Sequence, residues 1–314
     1  MADGLRVTAL AGGVGGAKLA EGLAYLLPPA QLRIIVNTGD DFEHLGLTLC
    51  PDLDTVMYTL AGIASSETGW GIEGDSFHCL AGLERLDGPA WFRVGDRDLA
   101  THLLRTEWLR QGARLTEVTR RLSTTLGVSH SLLPMSDRPC RTIVVTPDGE
   151  LPFQTYFVKR KARPQLMGVR WDATMGIGAT PEVMAALAWA DVIILCPSNP
   201  FVSIDPILAL HGVRDTLKES HVIGVSPIIG GEAVKGPAAK MLQELEGEAS
   251  AAAVATHFQD VLTGFVIDCV DSGLAPRIRD LGIDVEVSET LMPGLDERVA
   301  LAGRVLAFGS ALRG

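Results

Sequence analysis

The sequence contains no long hydrophobic run, few aromatic residues and no closely spaced pair of cysteines. No apolar run approaches the ~20 residues that a membrane-spanning helix needs. Aromatic residues make up 5% of the chain, which disfavours a protein that stacks single-stranded nucleic acid on aromatic side chains. The five cysteines are dispersed and odd in number, so we interpret them as reduced thiols and not as a disulfide framework.

Positive charge is also scarce. The chain has 27 lysines and arginines against 38 aspartates and glutamates, a formal net charge of −11, which argues against nucleic acid because a polyanion would be repelled. An anionic small substrate would therefore need local cations or a metal ion. Asp3 stands where a secretory signal peptide carries positive charge. We expect a cytoplasmic protein that binds neither membranes nor nucleic acid.

Short runs of β-branched and aliphatic residues recur along the 314 residues, and helix-length segments separate most of them. The predicted strands are Leu5–Leu10, Leu32–Asn37, Asp191–Cys196, Val222–Ser226, Gly264–Asp268 and Asp284–Ser288. The predicted helices are Ala17–Leu27, Pro181–Trp189, Ile207–Leu217, Ala238–Glu246 and Pro276–Leu281. Continuous apolar strands that alternate with helices predict an α/β fold with a doubly wound, mainly parallel, Rossmann-like sheet. We expect a single domain over residues 1–314.

Two segments depart from this alternation. From about residue 96 to 130, LATHLLRTEWLRQG and LTEVTRRLSTTLG have helical spacing and arginine-rich polar faces. They predict a small helical insertion that would lie as a lid over the sheet edge. The sequence RTIVVT–PDGE–LPFQTYFV then predicts a β-hairpin whose turn contains Pro147, Asp148 and Gly149.

Polar loops follow four of the predicted strands. Because crossovers between parallel strands are right-handed, the strand-to-helix loops meet at one edge of the sheet. The loops are GGVGG, NTGDD, CPSNPF and SPIIGGEAVKGP. Their convergence predicts a binding site at the carboxyl edge of the sheet.

The glycine turn LAGGVGGAKL is neither a dinucleotide fingerprint nor a Walker A loop. Counted from Gly13, Lys18 stands where the third glycine belongs, and Asn37 stands where the ribose-binding acid belongs. A tight turn without a ligand is one interpretation. Our preferred one is a site where backbone N–H groups and a lysine bind phosphate. Its predicted residues are Gly12, Gly13, Gly15, Gly16 and Lys18.

The stretch NTGDDFEHLGLTLCPDLDT contains four aspartates and a histidine. Pro51 opens a predicted helix that has Asp52 and Asp54 in its first turn. Carboxylates from two loops, together with substrate phosphates, are a usual way to hold Mg²⁺. We therefore predict Asp40 and Asp54 as Mg²⁺ ligands. Asp52 is interpreted as a partner of the helix dipole, whose replacement would cost well under about 1 kcal/mol. Zinc is disfavoured because the lone histidine of this stretch has no second ligand at suitable spacing.

Three more loops add cations and hydrogen-bonding groups. WFRVGDRD offers Arg93, although a solvated charged turn explains it equally well. Lys235 lies in a second glycine-rich loop that could cradle phosphate. Ser198 and Asn199 follow a strand, where the asparagine could read a ligand edge or satisfy the turn before Pro200. No G-x-S-x-G sequence or Ser/His/Asp grouping is present. The residues themselves predict a Mg²⁺-dependent enzyme that acts on a phosphoryl or diphosphate bond at a nucleotide.

These motifs together resemble a known family. GGVGGAKL, VNTGDDFEHLGLTLCPDLDTVMYTLAG, GWGIEGDSFHCL, WFRVGDRDLATH, LLPMSD, CPSNPFVSI and SPIIGGEAVKGPA resemble the 2-phospho-L-lactate transferases of coenzyme F-420 biosynthesis. The resemblance runs in order from about residue 5 to residue 240 and more loosely to the end.

The resemblance implies a reaction and its ligands. A phospholactyl, phosphoenolpyruvyl or 3-phosphoglyceryl group would pass from a guanosine diphospho-activated donor to the ribityl hydroxyl of Fo (7,8-didemethyl-8-hydroxy-5-deazariboflavin). GMP would leave, and the product would be F-420-0 or its dehydro or a related form. Mg²⁺ and a homodimer are also implied. Asp40 and Asp54 match positions expected to bind the metal, and Asp54 and Arg93 match positions expected to contact Fo. The glycine turn, Ser198, Asn199 and Lys235 would serve the guanosine diphosphate.

The implied mechanism is a direct in-line displacement, in which Asp54 or Asp41 orients the attacking hydroxyl or accepts its proton. One alternative is a nonenzymatic regulator of the same fold that binds nucleotide sugars. A second is an NAD-dependent dehydrogenase, which the broken third glycine disfavours.

Overall fold

The computed structural model describes residues 4–172 and 178–313, so Asp3 lies outside the described residues. Within these ranges the strands are β1 (Val7–Ala11), β2 (Leu32–Val36), β3 (Phe42–His44), β4 (Leu47–Leu49), β5 (Ser131–Pro134), β6 (Thr142–Thr146), β7 (Gly149–Pro152), β8 (Gly168–Trp171), β9 (Val192–Leu195), β10 (Val222–Val225), β11 (Ile228–Ile229), β12 (Glu232–Ala233), β13 (Gly264–Asp268) and β14 (Asp284–Ser288).

The α-helices of the same ranges are α1 (Gly13–Leu26), α2 (Pro51–Leu60), α3 (His78–Arg85), α4 (Asp98–Arg110), α5 (Leu115–Thr125), α6 (Pro181–Trp189), α7 (Asp205–Leu208), α8 (Val213–Lys218), α9 (Ala238–Leu245), α10 (Ala251–His257), α11 (Ala275–Arg279) and α12 (Leu295–Ala311). Two π-helical turns, Thr155–Lys159 and Pro200–Ile204, and a 3₁₀ turn, Cys269–Leu274, complete the helical elements. Among the described residues, no helix combines the length and the apolar character needed to cross a membrane.

Seven parallel strands form the central sheet, in the order β14-β13-β10-β9-β1-β2-β5. The chain leaves β1 toward β2 on one side and later returns to β9 on the other, so the strand order reverses at β1. Ligands of open α/β sheets bind outside the carboxyl ends of the strands at such a reversal. The predicted doubly wound parallel sheet is confirmed.

Both faces of the sheet are buried. Ala9 of β1 belongs to one hydrophobic core and the next residue, Leu10, to the other, because successive side chains of a strand point to opposite faces. One core takes apolar residues from α1, α2, α5 and α12, and the other from α6, α8, α9, α10 and α11. Burial on both faces explains why these strands read as continuous apolar runs in the sequence.

Several predicted elements differ from the observed ones. The edge strand β5 was not predicted, since its sequence SLLP has only two leucines between a serine and a proline and no β-branched residue. The predicted helix Ile207–Leu217 is wrong as one element. It divides into α7 and α8 at Gly212, whose φ of +81° is a left-handed conformation that interrupts a helix.

The predicted hairpin is confirmed as β6 and β7, and β8 pairs with the other side of β6. Its second strand ends at Pro152 and does not continue through Val158 as predicted. The chain instead turns through the π-helical segment Thr155–Lys159. Helices α4 and α5 occupy most of the interval that was predicted as a helical insertion.

His257, at the end of α10, links this helix to α7 and to the residue that follows α9. Its Nε2 lies 2.8 Å from a carboxylate oxygen of Asp205 at the start of α7, and its Nδ1 lies 3.2 Å from Glu246 beyond α9. Burial opposes a charge on this imidazole, but the two carboxylates outweigh it and raise the pKa of His257. The protonated histidine is therefore stabilised in the folded protein.

Candidate active site

A cavity of about 810 Å³ opens at the carboxyl edge of the sheet, beside the reversal in strand order. Its volume is at the upper end of the range usual for ligand pockets, ~300–1,000 Å³. Most of the predicted site residues line it: Gly12, Gly13, Gly15, Lys18, Asp40, Asp54, Arg93, Ser198, Asn199 and Lys235. Gly16 and Asp41 are the predicted site residues that do not. The predicted convergence of the polar loops therefore produces one shared cavity.

The glycine turn connects β1 to α1. The N–H of Gly12 donates to Oγ of Ser198 at 3.1 Å, and this hydroxyl donates back to the Gly12 carbonyl oxygen at 2.8 Å. The N–H of Gly13 donates to Oδ1 of Asp52 at 2.7 Å. Two of the amides predicted to bind phosphate thus already have protein acceptors. Val14 and Gly15 follow in the first turn of α1, where the helix supplies no acceptors for N–H groups.

Gly15 and Gly16 bring α1 against the loop that follows β9. A Cβ placed on Gly15 would lie 2.2 Å from the carbonyl oxygen of Pro197, and one on Gly16 would lie 2.5 Å from Oγ of Ser198. A Cβ at either position would force its neighbour to shift, and the neighbour of Gly15 is a backbone atom. The packing of the protein itself therefore favours glycine at both positions.

Asp52 stands in the first turn of α2, where the helix-dipole interpretation placed it, and its buried carboxylate also connects α2 to two other segments. Its Oδ2 accepts a hydrogen bond of 2.9 Å from the side-chain amide of Asn37, while Oδ1 binds the Gly13 N–H. Burial raises the pKa of Asp52 to about 6 against the opposing effect of these hydrogen bonds. A Cβ on Gly12 would lie 2.4 Å from Oδ2, so the glycine makes room for this carboxylate.

Asp40 lies at the cavity surface and Asp41 lies away from it. Asp40 accepts a hydrogen bond of 2.9 Å from Nε2 of Gln154. Burial, and then the charges of Asp52 and Asp41, raise the pKa of Asp40 well above its usual range. Burial likewise raises the pKa of Asp41, whose Oδ1 has no hydrogen-bond partner among the described residues. Crowded buried carboxylates of this kind are a group that a bound cation would stabilise.

The Asp54 carboxylate is paired with Arg105, a buried residue of α4. Nη1 of Arg105 donates to Oδ2 of Asp54 at 2.9 Å, and Nη2 pairs with the other carboxylate oxygen. Burial alone would lower the pKa of Arg105, but attraction to Asp54 raises it. Arg105 is 1% exposed. Sequence reasoning missed this arginine, although the spacing of Asp98, His102 and Arg105 places all three on one face of a helix.

Asp98 and His102 extend this polar cluster to the cavity surface. The hydroxyl of Tyr58 donates to Asp98 at 2.7 Å, and Nε2 of His102 lies 3.4 Å from the same carboxylate. Asp54, Asp98 and His102 each offer a ligand atom within 4.8 Å of the others.

These residues offer a divalent metal ion two ligand sets, and the cluster of Asp54, Asp98 and His102 does not include the predicted ligand Asp40. Asp40 and Asp54 offer oxygen ligands only, which suits Mg²⁺ when substrate oxygens and water complete the shell. A set that includes the imidazole of His102 would suit a metal that also accepts nitrogen. The crowded carboxylates around Asp40 favour the presence of a cation at this part of the cavity.

Two lysines stand near the glycine turn. Lys18 donates to the carbonyl oxygen of Met292 at 2.8 Å, and Lys235 donates to the carbonyl oxygen of Thr68 at 2.6 Å. Burial, followed by the nearby charges of Arg298 and Lys235, lowers the pKa of Lys18. The two lysines form a cationic region beside the first turn of α1.

Asn199 makes hydrogen bonds within the protein. Its Oδ1 accepts from the N–H of Phe201 at 3.0 Å, and its Nδ2 lies 3.3 Å from Sδ of Met241. Of the two roles left open by the sequence, the geometry favours the satisfied turn before Pro200.

Aromatic side chains form another wall of the cavity, which the sequence did not reveal. Trp91 and Phe92 pack edge to face, with ring centroids 5.7 Å apart. Phe153 and Phe157 stack with centroids 5.6 Å apart. All four line the cavity, and the exposed Arg93 lies next to them with its guanidinium 4.6 Å from the Phe77 ring centroid. The adjacent tryptophan and phenylalanine in WFRVGDRD are the feature of the sequence that could have indicated this aromatic wall.

The fold and the cavity define an α/β ligand-binding protein whose site combines a cationic turn, buried carboxylates and an aromatic wall. Comparison with known families makes this class specific. The family described as 2-phospho-L-lactate transferase CofD matches residues 7–275. The chain belongs to the 2-phospho-L-lactate transferase family, as its motifs predicted, and is a transferase of that family.

Two differently named transferases are among the relatives that are similar to this chain. The chain is 40% identical to the phosphoenolpyruvate transferase of Streptomyces griseus, over 98% of this chain and 100% of that protein. It is 39% identical to the 2-phospho-L-lactate transferase of Methanospirillum hungatei, over 91% of this chain and 97% of that protein. A solved structure of a UPF0052-family protein from Bacillus halodurans is similar in fold alone, with a TM-score of 0.64, 16% identity and coverage of 96% and 98% of the two chains.

Proposed function

We propose that the protein transfers a phosphate-linked three-carbon acid from a guanosine diphospho-activated donor to the ribityl hydroxyl of Fo, with release of GMP. The observation that carries the proposal is that one cavity contains the glycine turn, the buried carboxylates and the aromatic wall. A reaction that joins a nucleotide-activated phosphate to an aromatic acceptor needs these three surfaces in one space. The family match supports the same reaction.

The donor diphosphate would bind beside the first turn of α1. Lys18 and Lys235 supply positive charge there, and the N-terminal end of a helix favours anions. Because the Gly12 and Gly13 amides already have acceptors, we assign the phosphate contacts to the amides of Val14 and Gly15. The aromatic wall would take the flat deazaflavin ring, since stacked rings bury large apolar surfaces.

The transfer would occur at the carboxylates between these two ends. Asp54 is better supported than Asp41 as the residue that orients the ribityl hydroxyl or takes its proton, because Asp54 lines the cavity and Asp41 does not. Its pairing with Arg105 holds the Asp54 carboxylate in one orientation. The hydroxyl would attack the phosphorus that carries the acid, in line with the departing GMP.

Asp40 and Asp54 would hold Mg²⁺, which when bound would neutralise charge on the diphosphate. We expect Asp40→Asn and Asp54→Asn each to raise the Mg²⁺ concentration needed for half-maximal rate by at least about tenfold. Asp215→Asn is the matched control, because the side chain of Asp215 is 88% exposed and lies outside the cavity. Isothermal titration with Mg²⁺ and the donor measures the metal site independently of turnover. Unchanged Mg²⁺ dependence in either cavity variant would remove that residue from the metal site.

The relatives do not distinguish a phosphoenolpyruvyl donor from a phospholactyl donor. The chain is 40% identical to a phosphoenolpyruvate transferase and 39% identical to a 2-phospho-L-lactate transferase. The 3-phosphoglyceryl donor, the homodimer and the cytoplasmic location stay predictions from the sequence. The family match names a transferase and so disfavours the regulator alternative.

The deciding experiment is incubation of the protein with Fo, Mg²⁺ and the three donors in competition. GMP release is followed by chromatography, and the product is identified by mass. GMP release in the presence of Fo, with a product mass that matches one transferred acid, is the expected result. Donor binding without GMP release for all three donors would contradict the proposed reaction.

A further inference from the structure

Lys161 reaches the cavity wall from a strained turn. It follows the π-helical segment Thr155–Lys159, and both Lys161 and Ala162 have positive φ angles, +54° and +50°. Left-handed backbone is sterically unfavourable for an L-residue, whereas glycine adopts it readily. The turn is held by the N–H of Ala162, which donates to the carbonyl oxygen of Tyr156 at 2.9 Å. The protein thus supports a lysine side chain where glycine would be the easier residue.

Lys161 and Arg93 stand on two segments that meet at the aromatic wall. Lys159, two residues before Lys161, lies over the ring of Trp91, two residues before Arg93, with its Nζ 6.0 Å from the ring centroid. Both Lys161 and Arg93 line the cavity. Lys161 and Arg93 therefore place one cation from each segment on the cavity lining, whereas Lys159 packs over Trp91 and does not line the cavity.

These two cations have no acidic partner among residues 4–172 and 178–313. Four carboxylates line the same cavity, and each already has a partner in the protein. Asp54 is paired with Arg105, and Asp98 accepts from a tyrosine hydroxyl. Asp40 and Asp52 accept from side-chain amides. Unpaired cations beside aromatic rings, in a chain of net charge −11, fit an aromatic ligand that is itself anionic.

We propose that Lys161 and Arg93 bind the deprotonated ring hydroxyl of the deazaflavin acceptor. This inference rests on the proposed function, in which Fo is the acceptor and Arg93 matches a position expected to contact it. It adds Lys161 as a second contact and assigns a charge state to the bound ring. The hydroxyl lies on the aromatic ring of Fo, so its negative charge is shared with the ring system. An ammonium and a guanidinium group that donate to this oxygen would hold the ring in one orientation, with the ribityl chain left free to reach the carboxylates.

The test is an absorbance titration of Fo, because the deprotonated ring absorbs at longer wavelength than the neutral one. Fo is titrated alone and with excess protein, in the absence of donor. We expect the hydroxyl of bound Fo to titrate about one pH unit or more below that of free Fo, the usual effect of an adjacent opposite charge. Lys161→Met should remove at least half of this difference, and Lys161→Arg should retain most of it.

Arg160→Met is the matched control, because Arg160 is an exposed cation of the same turn that does not line the cavity. It changes the net charge as Lys161→Met does and should leave the titration of bound Fo unaltered. Circular dichroism confirms that each variant is folded. If wild-type protein binds Fo without shifting its titration, or Lys161→Met shifts it as fully as wild type, the assignment is overturned. If wild-type protein does not bind Fo, the proposed acceptor fails and this inference fails with it.

Discussion

Replacing Arg105 tests whether the pair beneath the cavity holds α4 to α2. In Arg105→Met the Asp54 carboxylate would lose its guanidinium partner and keep the imidazole of His102, whose Nδ1 lies 3.7 Å away, as a neighbour. Removing one partner of a buried ion pair typically costs about 3–5 kcal/mol of unfolding free energy. Nε of Arg105 has no hydrogen-bond partner among the described residues, so its removal offsets part of that loss. We therefore expect a destabilisation of about 3 kcal/mol.

The cost should arise from the unpaired charge and not from lost packing. The double variant Arg105→Met/Asp54→Asn removes that charge and should recover about 1–3 kcal/mol relative to Arg105→Met alone. Arg110→Met is the control on the same helix, since Arg110 is exposed and donates one hydrogen bond to the Gly46 carbonyl. It should change stability by about 1 kcal/mol or less.

Unfolding in urea, followed by circular dichroism, gives the free energies of all four proteins. The reasoning would be refuted if Arg105→Met were no less stable than Arg110→Met. It would be refuted equally if the double variant recovered nothing, because the buried charge would then not be the source of the loss.

Three further substitutions test the remaining structural assignments. Asp52→Ala leaves one buried and one partly buried donor without this acceptor and should cost about 2–4 kcal/mol of unfolding free energy in urea; a loss under about 1 kcal/mol would show that the helix dipole alone explains the residue. Gly15→Ala forces a Cβ against a carbonyl oxygen 2.2 Å away and should lower the thermal midpoint, whereas Gly303→Ala in α12 meets only a methyl group at 3.7 Å and should raise it slightly; equal effects would show that the turn accommodates the side chain. His257 has a raised pKa in the folded protein, so its stabilisation is complete below the unfolded pKa of ~6.5 and is lost as pH rises through the folded pKa. His257→Gln should therefore lower the thermal midpoint more at pH 5.5 than at pH 8.5, and a larger loss at pH 8.5 would contradict this assignment.

Local sequence determined six of the seven strands of the sheet, with β5 as the exception. β13 and β14 begin and end as predicted, and α6 does as well, because apolar runs and a proline at the helix start act within a few residues of chain. The carboxyl-edge cavity was also predictable, because parallel strands joined by right-handed crossovers place all their following loops on one side. Most predicted site residues line that cavity for this reason.

Contacts between distant segments were decided only by the tertiary structure. Asp52 and Asp54 stand two residues apart in one helical turn, yet one binds the glycine turn and the other binds Arg105, 51 residues away. Nothing local to α2 distinguishes the two carboxylates. Their roles depend on which segments the fold brings within hydrogen-bonding distance, and burial then makes each such pairing energetically large. The sequence alone therefore determined where the site lies, while packing determined which side chains within it are free to meet a ligand.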